Sequence, residues 1–198
     1  MALRAAATGV AVVLAASLAT GCAVVGAQPS KPGPGPLLDV NQHAWGTTAA
    51  VGEAFTDGME VLRFEGGKGA VLTSVELVDA DGMEIVGVKL AGAERDTWSI
   101  QRIAWPPRDR MLPPESVMPA FNVPLKPTSE TDYELLLGIK ATKEGYLVRR
   151  GLQVGYTVDG KEYSDFVPAI LAICTSPDLE DEHGWCPLPE EWSEFKDS

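Results

Sequence analysis

Apolar and polar residues alternate with a period of two along much of the chain, a spacing typical of half-buried β-strands. The clearest case is residues 152–158, where Leu, Val, Tyr and Val side chains fall on one face. Asp159-Gly160 follows, and this dipeptide favours a tight type I′ turn. Residues 161–173 then return as a second apolar strand. The pattern predicts a long antiparallel hairpin.

Further strands are predicted from the same signal, at residues 59–64, 70–78, 85–90, 99–104 and 132–140. Residues 79–82, Asp-Ala-Asp-Gly, provide turn chemistry, so the strands on either side of them are expected to pair as a hairpin. Helical periodicity is nearly missing. These features predict an all-β fold, an antiparallel two-layer sandwich that is immunoglobulin-like in outline, although the Cys-Trp-Cys spacing of antibody domains is missing.

Residues 105–127 interrupt this series with prolines at positions 106, 107, 113, 114, 119, 124 and 127. Because proline cannot donate to a central ladder, the segment is expected to be a preordered connection that straps across a sheet edge. Met111, Met118 and Phe121 lie within it. These side chains either plug one end of the sandwich or form a partner-binding loop, since long loops often carry function and Met adapts to varied surfaces.

The first 22 residues have a different pattern. Residues 5–20 are rich in Ala, Val and Leu and carry no charge, and Arg4 precedes them. The block is shorter than the roughly 20 residues of a spanning helix. Small residues at positions 19–21 come directly before Cys22. This order of features indicates a signal peptide.

In these residues the chain resembles bacterial lipoproteins, whose lipobox ends in Gly or Ala followed by Cys. The resemblance implies that residues 1–21 are removed and that Cys22 carries thioether-linked diacylglycerol, which would anchor the protein to the cell membrane on its extracytoplasmic side. The sequence departs from the family in having Ala19 where Leu is more usual and in a single basic residue before the apolar block. The alternative is an ordinary secretory signal cut after Ala23 or Ala27.

Residues 22–44 are expected to form a tether, because residues 29–36 are rich in proline and glycine. At about 3.1 Å per extended residue, the tether could hold a domain roughly 50 Å from the membrane. A proline-rich ligand for a partner domain is the functional alternative. Residues 45–198 then form one β-sandwich domain with an acidic C-terminal segment.

The chain carries 16 basic and 28 acidic residues, a formal net charge of −12. Removal of residues 1–21 would take away Arg4 and no acidic residue, which brings the net charge to −13. Nucleic acids and anionic lipid headgroups require a basic patch on their partner. The charge therefore excludes nucleic acid as a partner.

Cysteine usage fits export, since two cysteines, Cys174 and Cys186, remain besides Cys22. A disulfide between them is predicted to clip the C-terminal segment onto the last strand. His183 lies between them and resembles part of a cupredoxin copper loop, but no Met follows it and the other histidine is His43. Blue-copper sites need two His and a Cys, so neither a metal nor any other cofactor is expected.

Acidic residues are concentrated near the C-terminus, at positions 178, 180–182, 190, 191 and 194. Carboxylates are suitable ligands for Ca²⁺, but the spacing lacks the frame of an EF-hand, so a solvated tail is the preferred interpretation. Trp185 and Trp192 stand among these acids. They either dock the tail onto the domain or contact a partner.

Catalysis has little support, because the sequence has no G-x-S-x-G, H-E-x-x-H or P-loop motif and only two histidines. We therefore expect a non-catalytic binding or interaction module of the cell envelope, held to the membrane by its lipid and meeting an envelope protein or an extracellular ligand. The alternatives are a carrier of a small molecule or metal ion and a purely structural envelope component.

Overall fold

A computed structural model describes residues 32–39, 43–64, 69–92, 100–108, 112, 114–126, 132–190 and 192. Nearly all of their regular structure is β-strand, with two short 3₁₀ turns at Pro114–Ser116 and Pro177–Leu179. Within these ranges there is no helix with the length and apolar character needed to cross a membrane. Cys22 and Met111 lie outside the described residues.

Eleven strands occur in the described part of the chain. In order they are β1 (Leu37–Asp39), β2 (His43–Thr48), β3 (Ala54–Phe64), β4 (Ala70–Val78), β5 (Met83–Ala91), β6 (Ile100–Ala104), β7 (Val117–Pro119), β8 (Pro124–Leu125), β9 (Tyr133–Ala141), β10 (Tyr146–Val158) and β11 (Lys161–Cys174).

The strands form two sheets. Sheet A has the order β1-β3-β9-β5-β7, with β6 also paired to β3, and sheet B has the order β2-β11-β10-β4-β8. The parallel pairing of β2 with β11 contrasts with the antiparallel pairings of the other neighbours. The predicted all-β, two-layer sandwich is confirmed, and the immunoglobulin-like outline stays a prediction.

The main core lies between the two sheets. Alternate side chains of β9 and β10 point into it, and each of them is fully buried: Leu135, Leu137, Ile139, Leu152, Val154 and Tyr156. Burial of such side chains is the main source of stability, at about 1.5–3 kcal/mol for each large apolar side chain. The period-two pattern of residues 152–158 therefore identified the inner face of β10 correctly.

The hairpin predicted around Asp159-Gly160 is confirmed. Asp159 and Gly160 have φ angles of 52° and 76°, both in the left-handed region that a type I′ turn requires. From this turn β10 and β11 pair continuously to Gly151 and, beyond a register shift, to Tyr146 and Cys174. This hairpin is the centre of sheet B.

The hairpin predicted across residues 79–82 is wrong, although β4 has the predicted bounds, 70–78. β4 pairs with β10 and β8 in sheet B, whereas β5 pairs with β9 and β7 in sheet A. The turn carries the chain across the core from one sheet to the other. Turn residues fix the reversal of the chain, but they do not decide whether the next strand returns to the same sheet.

The proline-rich segment straps the edges of both sheets, as predicted. β7 pairs with the edge of sheet A at β5, and β8 pairs with the edge of sheet B at β4. Pro119 and Pro124 belong to these edge strands, where a missing N–H is tolerated. The segment therefore covers part of the edge of each sheet on one side of the sandwich.

We expected the domain to begin at Trp45. On the opposite side of the sandwich, however, strands that begin before Trp45 pair with the edges of both sheets. β1 pairs with β3 of sheet A, and β2 pairs with β11 of sheet B. The N–H of Leu37 donates to the hydroxyl oxygen of Tyr156 at 3.0 Å. The folded part therefore begins ahead of Trp45, and part of the expected tether belongs to the domain.

Candidate functional site

Cys174 and Cys186 form the predicted disulfide, with their Cα atoms 5.4 Å apart and both residues buried. The bridge holds the C-terminal segment against β2 at Gly46. A Cβ atom at Gly46 would lie 2.0 Å from the carbonyl oxygen of Cys186, so only glycine allows this close approach. The segment after β11 is thus fixed to the sandwich at both cysteines.

Between the cysteines, Asp181 organises a tight loop. Its Oδ1 accepts hydrogen bonds from the N–H groups of Trp185 and His183, each at 2.9 Å, and its own N–H donates to the carbonyl oxygen of Trp185 at 2.8 Å. The hydrogen bond from the N–H of Trp185 lowers the pKa of Asp181, and the hydrogen bond from the N–H of His183 lowers it by a smaller amount. Asp181 is therefore ionised at neutral pH, the form in which it accepts both hydrogen bonds, and these bonds constrain the backbone of the loop.

Trp185 stands at the surface of this loop and is 62% exposed. Nearby, Tyr146 is also exposed, and its hydroxyl donates to the carbonyl oxygen of Pro187 at 2.9 Å. Thr48 donates to the carboxylate of Glu180, which ties the loop to the end of β2. We call this surface, formed by Tyr146 and residues 178–187, the clipped end.

The clipped end is strongly acidic. Residues 174–190 contain five acidic side chains and neither lysine nor arginine. His183 is exposed, with its Nε2 3.5 Å from Glu182. Across the described ranges, no group of three or more His, Cys, Asp or Glu side chains is placed to hold a metal ion. A blue-copper site like that of the cupredoxins would need a cysteine thiolate. Cys174 and Cys186 cannot supply one here, because they form the disulfide.

The remaining predicted partner-binding residues lie elsewhere or are less exposed. Met118 and Phe121 are partly buried and pack against the main core, which agrees with the interpretation that they plug the sandwich. Trp192 is partly buried, and its N–H donates to the carbonyl oxygen of Pro189 at 3.0 Å. The structure thus leaves Trp185 as the most exposed aromatic side chain among those described.

A buried ionic cluster inside the core was not predicted. Arg149 of β10 donates from Nη1 to Asp57 at 2.6 Å and from Nη2 to Glu60 at 2.8 Å. Its Nε donates to the carbonyl oxygen of Ala169 at 2.9 Å. Asp57 also accepts a hydrogen bond from the indole Nε1 of Trp45 at 3.1 Å. This buried ionic cluster joins sheet A to sheet B.

The charges of the cluster support one another. Burial by itself would lower the pKa of Arg149, but the negative charges of Asp57 and Glu60 outweigh it, and the pKa lies above its ordinary value. The three side chains are at most 1% exposed. Since solvent does not reach them, the cluster holds the two sheets together and does not form a ligand site.

Sequence reasoning missed the cluster because its members look like ordinary surface residues. Glu60 is an isolated acid in a predicted strand, on the same face as Leu62 and Phe64, and Arg149 stands beside the exposed Arg150. The contact between Glu60 and Arg149 joins residues 89 apart in the chain. No local pattern identifies such a pair.

Comparison with protein-family models gives no match to this chain, and comparison with curated protein sequences gives none either.

Proposed function

We propose that the protein is a non-catalytic, lipid-anchored binding module on the extracytoplasmic side of the cell membrane, which uses its clipped end to bind another protein of the envelope. The lipobox-like sequence before Cys22 supports the anchor. The disulfide supports an oxidising compartment, since such bonds persist outside the cytoplasm. The acidic, aromatic surface of the clipped end supports a protein partner.

The observation that carries this proposal is the exposed indole of Trp185, on a backbone that hydrogen bonds hold in place. Tryptophan is enriched among the few residues that dominate binding energy at protein interfaces. The disulfide and the hydrogen bonds to Asp181 fix the loop before any encounter. Since little conformational entropy remains to be lost, the burial of Trp185 would contribute to affinity with a small ordering cost.

The acidic residues around Trp185 define the partner's chemistry. A matching surface would have an apolar pocket for the indole and lysine or arginine side chains around it. Such complementary charges mainly accelerate association, and they are screened by salt. Association should therefore slow as ionic strength rises, while the indole determines how long the complex lasts.

Site-specific photo-crosslinking in the cells that produce the protein tests the proposal. A benzophenone amino acid replaces Trp185 in one strain and Val86, which is 39% exposed on β5, in a control strain. We expect one discrete adduct from position 185 that the control does not give, and mass spectrometry should show an envelope protein in it. Equal labelling from both positions, or an adduct with a second copy of this chain, would contradict the proposal.

Cys22→Ala tests the anchor separately. The variant should move from the membrane fraction to the soluble extracytoplasmic fraction, because two acyl chains hold a protein firmly and none remains. The disulfide and the fold should be unchanged, which denaturation with and without reductant would check. A membrane fraction equal to that of the unmodified protein would contradict lipid anchoring at Cys22.

A further inference from the structure

A second concave surface lies on the outer face of sheet B, away from the clipped end. Its volume is ≈ 530 Å³, within the range of pockets that bind small molecules. Pro32 and side chains of β4, β10 and β11 line it: Thr73, Ser74, Glu76, Gln153, Glu162, Tyr163 and Ser164. Hydroxyls, carboxylates and an amide supply the hydrogen-bonding groups of this polar groove, Pro32 and Tyr163 add apolar surface, and none of its described lining residues is lysine or arginine.

Glycines shape the floor of the groove. Gly155 lies opposite Ser74 on one side and Ser164 on the other. A Cβ atom at Gly155 would lie 2.3 Å from the hydroxyl oxygen of Ser74, so a side chain there would displace Ser74 and fill the floor. The missing side chain leaves the polar groups of the two neighbouring strands facing a shared space.

An aromatic ring continues the groove along the sheet. Phe166 is the cross-strand partner of Gln153, so both side chains lie on the outer face. The Phe166 ring lies over Gly151, where a Cβ atom would be 2.4 Å from the ring. Phe166 is nevertheless 51% exposed. It therefore presents an apolar surface to solvent beside a row of hydrogen-bonding groups.

From these observations we propose that the polar groove binds a short, uncharged oligosaccharide. Sugar hydroxyls would bond to the carboxylates of Glu76 and Glu162, the amide of Gln153 and the hydroxyl of Ser164. The apolar C–H face of one sugar ring would pack on Phe166. This combination of a few oriented polar groups with an apolar surface is what small-molecule sites use for specificity.

Charge argues against the other polar ligands. Glu76 and Glu162 would repel phosphates, nucleotides, uronic acids and acidic peptides, and none of the described lining residues is basic. One cation lies close by, since the Nζ of Lys161 is 4.7 Å from the centroid of the Tyr163 ring. β10, which runs along the middle of the groove, is paired on both sides by β4 and β11, so it offers no free backbone edge to an extended peptide.

The carboxylates are also too far apart to act together. Glu76 lies opposite Gln153 and Glu162 lies opposite Thr157, on strands at either side of β10. Strand spacing and rise place them about 10 Å apart across the sheet and about 13 Å apart along it. Either separation exceeds the roughly 5–9.5 Å that lies between the two catalytic carboxyl groups of glycosidases. The groove therefore binds the sugar without hydrolysing it.

Binding to a panel of oligosaccharides tests this proposal, with the mature chain from Cys22 onward in detergent. The probes are cellohexaose, chitohexaose and maltohexaose, with hexagalacturonic acid as the anionic comparison, and calorimetry measures each affinity. We expect at least one neutral probe to bind and the anionic one not to bind. Failure of all three neutral probes, or preferred binding of the anionic probe, would overturn the proposal.

Variants then place the binding in the polar groove. Phe166→Ala and Gln153→Ala should each weaken the bound neutral probe at least tenfold, and Phe166→Tyr, which keeps the ring, should restore most of the affinity. Trp185→Ala should leave sugar affinity unchanged, so this result is independent of the clipped end and of its protein partner. Unchanged affinity in both alanine variants would refute the site. Denaturation curves confirm that the variants fold.

Discussion

Arg149 places a positive charge between two apolar sheets, where desolvation costs several kcal/mol for each ion. Two carboxylates and a backbone carbonyl surround it at 2.6–2.9 Å, so Nε, Nη1 and Nη2 each have an acceptor. Removal of one member leaves the others buried and uncompensated. The cluster therefore makes stability depend strongly on single residues, and we expect it to fix the alignment of β3 against β10.

Arg149→Met should destabilise the fold by about 3–5 kcal/mol, because Asp57 and Glu60 would remain buried without their cation. Arg150→Met, at the exposed neighbouring position, is the matched control and should change stability by no more than about 0.5 kcal/mol. Urea denaturation measures both. Similar losses in the two variants would mean that the buried cluster does not stabilise the core.

His43 should make stability sensitive to acid. Burial lowers the pKa of His43, the charge of Asp57 only partly offsets this, and its Nε2 is buried without a hydrogen-bond partner in the described structure. Because the unfolded chain binds the proton more readily, stability is complete above the unfolded pKa of about 6.5 and is lost as pH falls below it.

The wild-type denaturation midpoint should thus fall more between pH 7.5 and pH 5 than that of His43→Gln. The exposed His183 provides the matched control, since His183→Gln should keep the wild-type dependence. Identical pH profiles for wild type and His43→Gln would contradict the role of His43.

At the scale of elements, Trp105 fastens the start of the proline-rich segment to the outer face of sheet A. A Cβ atom at Gly138 would lie 2.4 Å from the indole, and one at Gly87 would lie 2.6 Å from it. Leu136, Ala91 and Leu112 form a small buried cluster against which Trp105 packs. Because these two glycines on neighbouring strands have no side chain, they leave a shallow depression in the sheet. The indole of Trp105 lies in this depression, which we call its seat.

A double-mutant cycle tests this seat. Gly138→Ala should cost about 1–3 kcal/mol, because the new methyl group overlaps the indole. In a Trp105→Ala background the same substitution should cost less than about 0.5 kcal/mol, or even stabilise the strand, since alanine limits the unfolded chain. Denaturation of the four proteins gives the coupling energy. Equal costs in both backgrounds would show that the indole does not occupy the seat.

Two turns show what the sequence could predict at this scale and what it could not. Asp159 and Gly160 are adjacent and both have positive φ, so the chain reverses tightly into a hairpin. At Asp79 and Gly82 the positive φ angles are separated by two residues. The longer turn spans the distance of about 10 Å between packed sheets. Turn chemistry predicts both reversals, but it does not show which of them leads into a strand of the same sheet.

The candidate sites also divide into features that the sequence could predict and features that it could not. Cys174, Cys186 and Trp185 could be found from the sequence, because cysteine pairing and an aromatic residue among acids are local signals. The polar groove and the buried ionic cluster could not, since each depends on register between strands distant in the chain. Ser74, Gly155 and Ser164, for example, meet only when β4, β10 and β11 are aligned.

At the scale of the whole molecule, the two open sides of the sandwich are closed by chain segments that looked irregular in sequence. The proline-rich segment closes one side through β7 and β8. On the other side, the N–H of Gly35 donates to the carboxylate of Asp165, and the N–H of Ser164 donates to the carbonyl oxygen of Gly33. An unpaired sheet edge invites aggregation, so these segments protect the parts of the edges that they cover.

Truncation shows how far the folded domain extends toward the N-terminus. A chain from residue 31 to 198 keeps every described contact, and it should unfold at the same urea concentration as a chain from residue 22 to 198. A chain from residue 41 to 198 lacks β1 and the buried Leu37, and it leaves Tyr156 without the N–H of Leu37. It should be less stable by about 2–4 kcal/mol, from one buried leucine and one or more hydrogen bonds.

Tyr156→Phe, made in both truncated chains, separates these contributions. In the longer chain the loss of the hydroxyl leaves the N–H of Leu37 without its acceptor, which should lower the free energy of unfolding by about 1–2 kcal/mol. In the shorter chain that N–H is already absent, so the same substitution should cost less, although Asp165 still accepts from the hydroxyl at 2.5 Å. Equal stability of the two parent chains would instead place the domain boundary after residue 40 and return residues 32–40 to the tether.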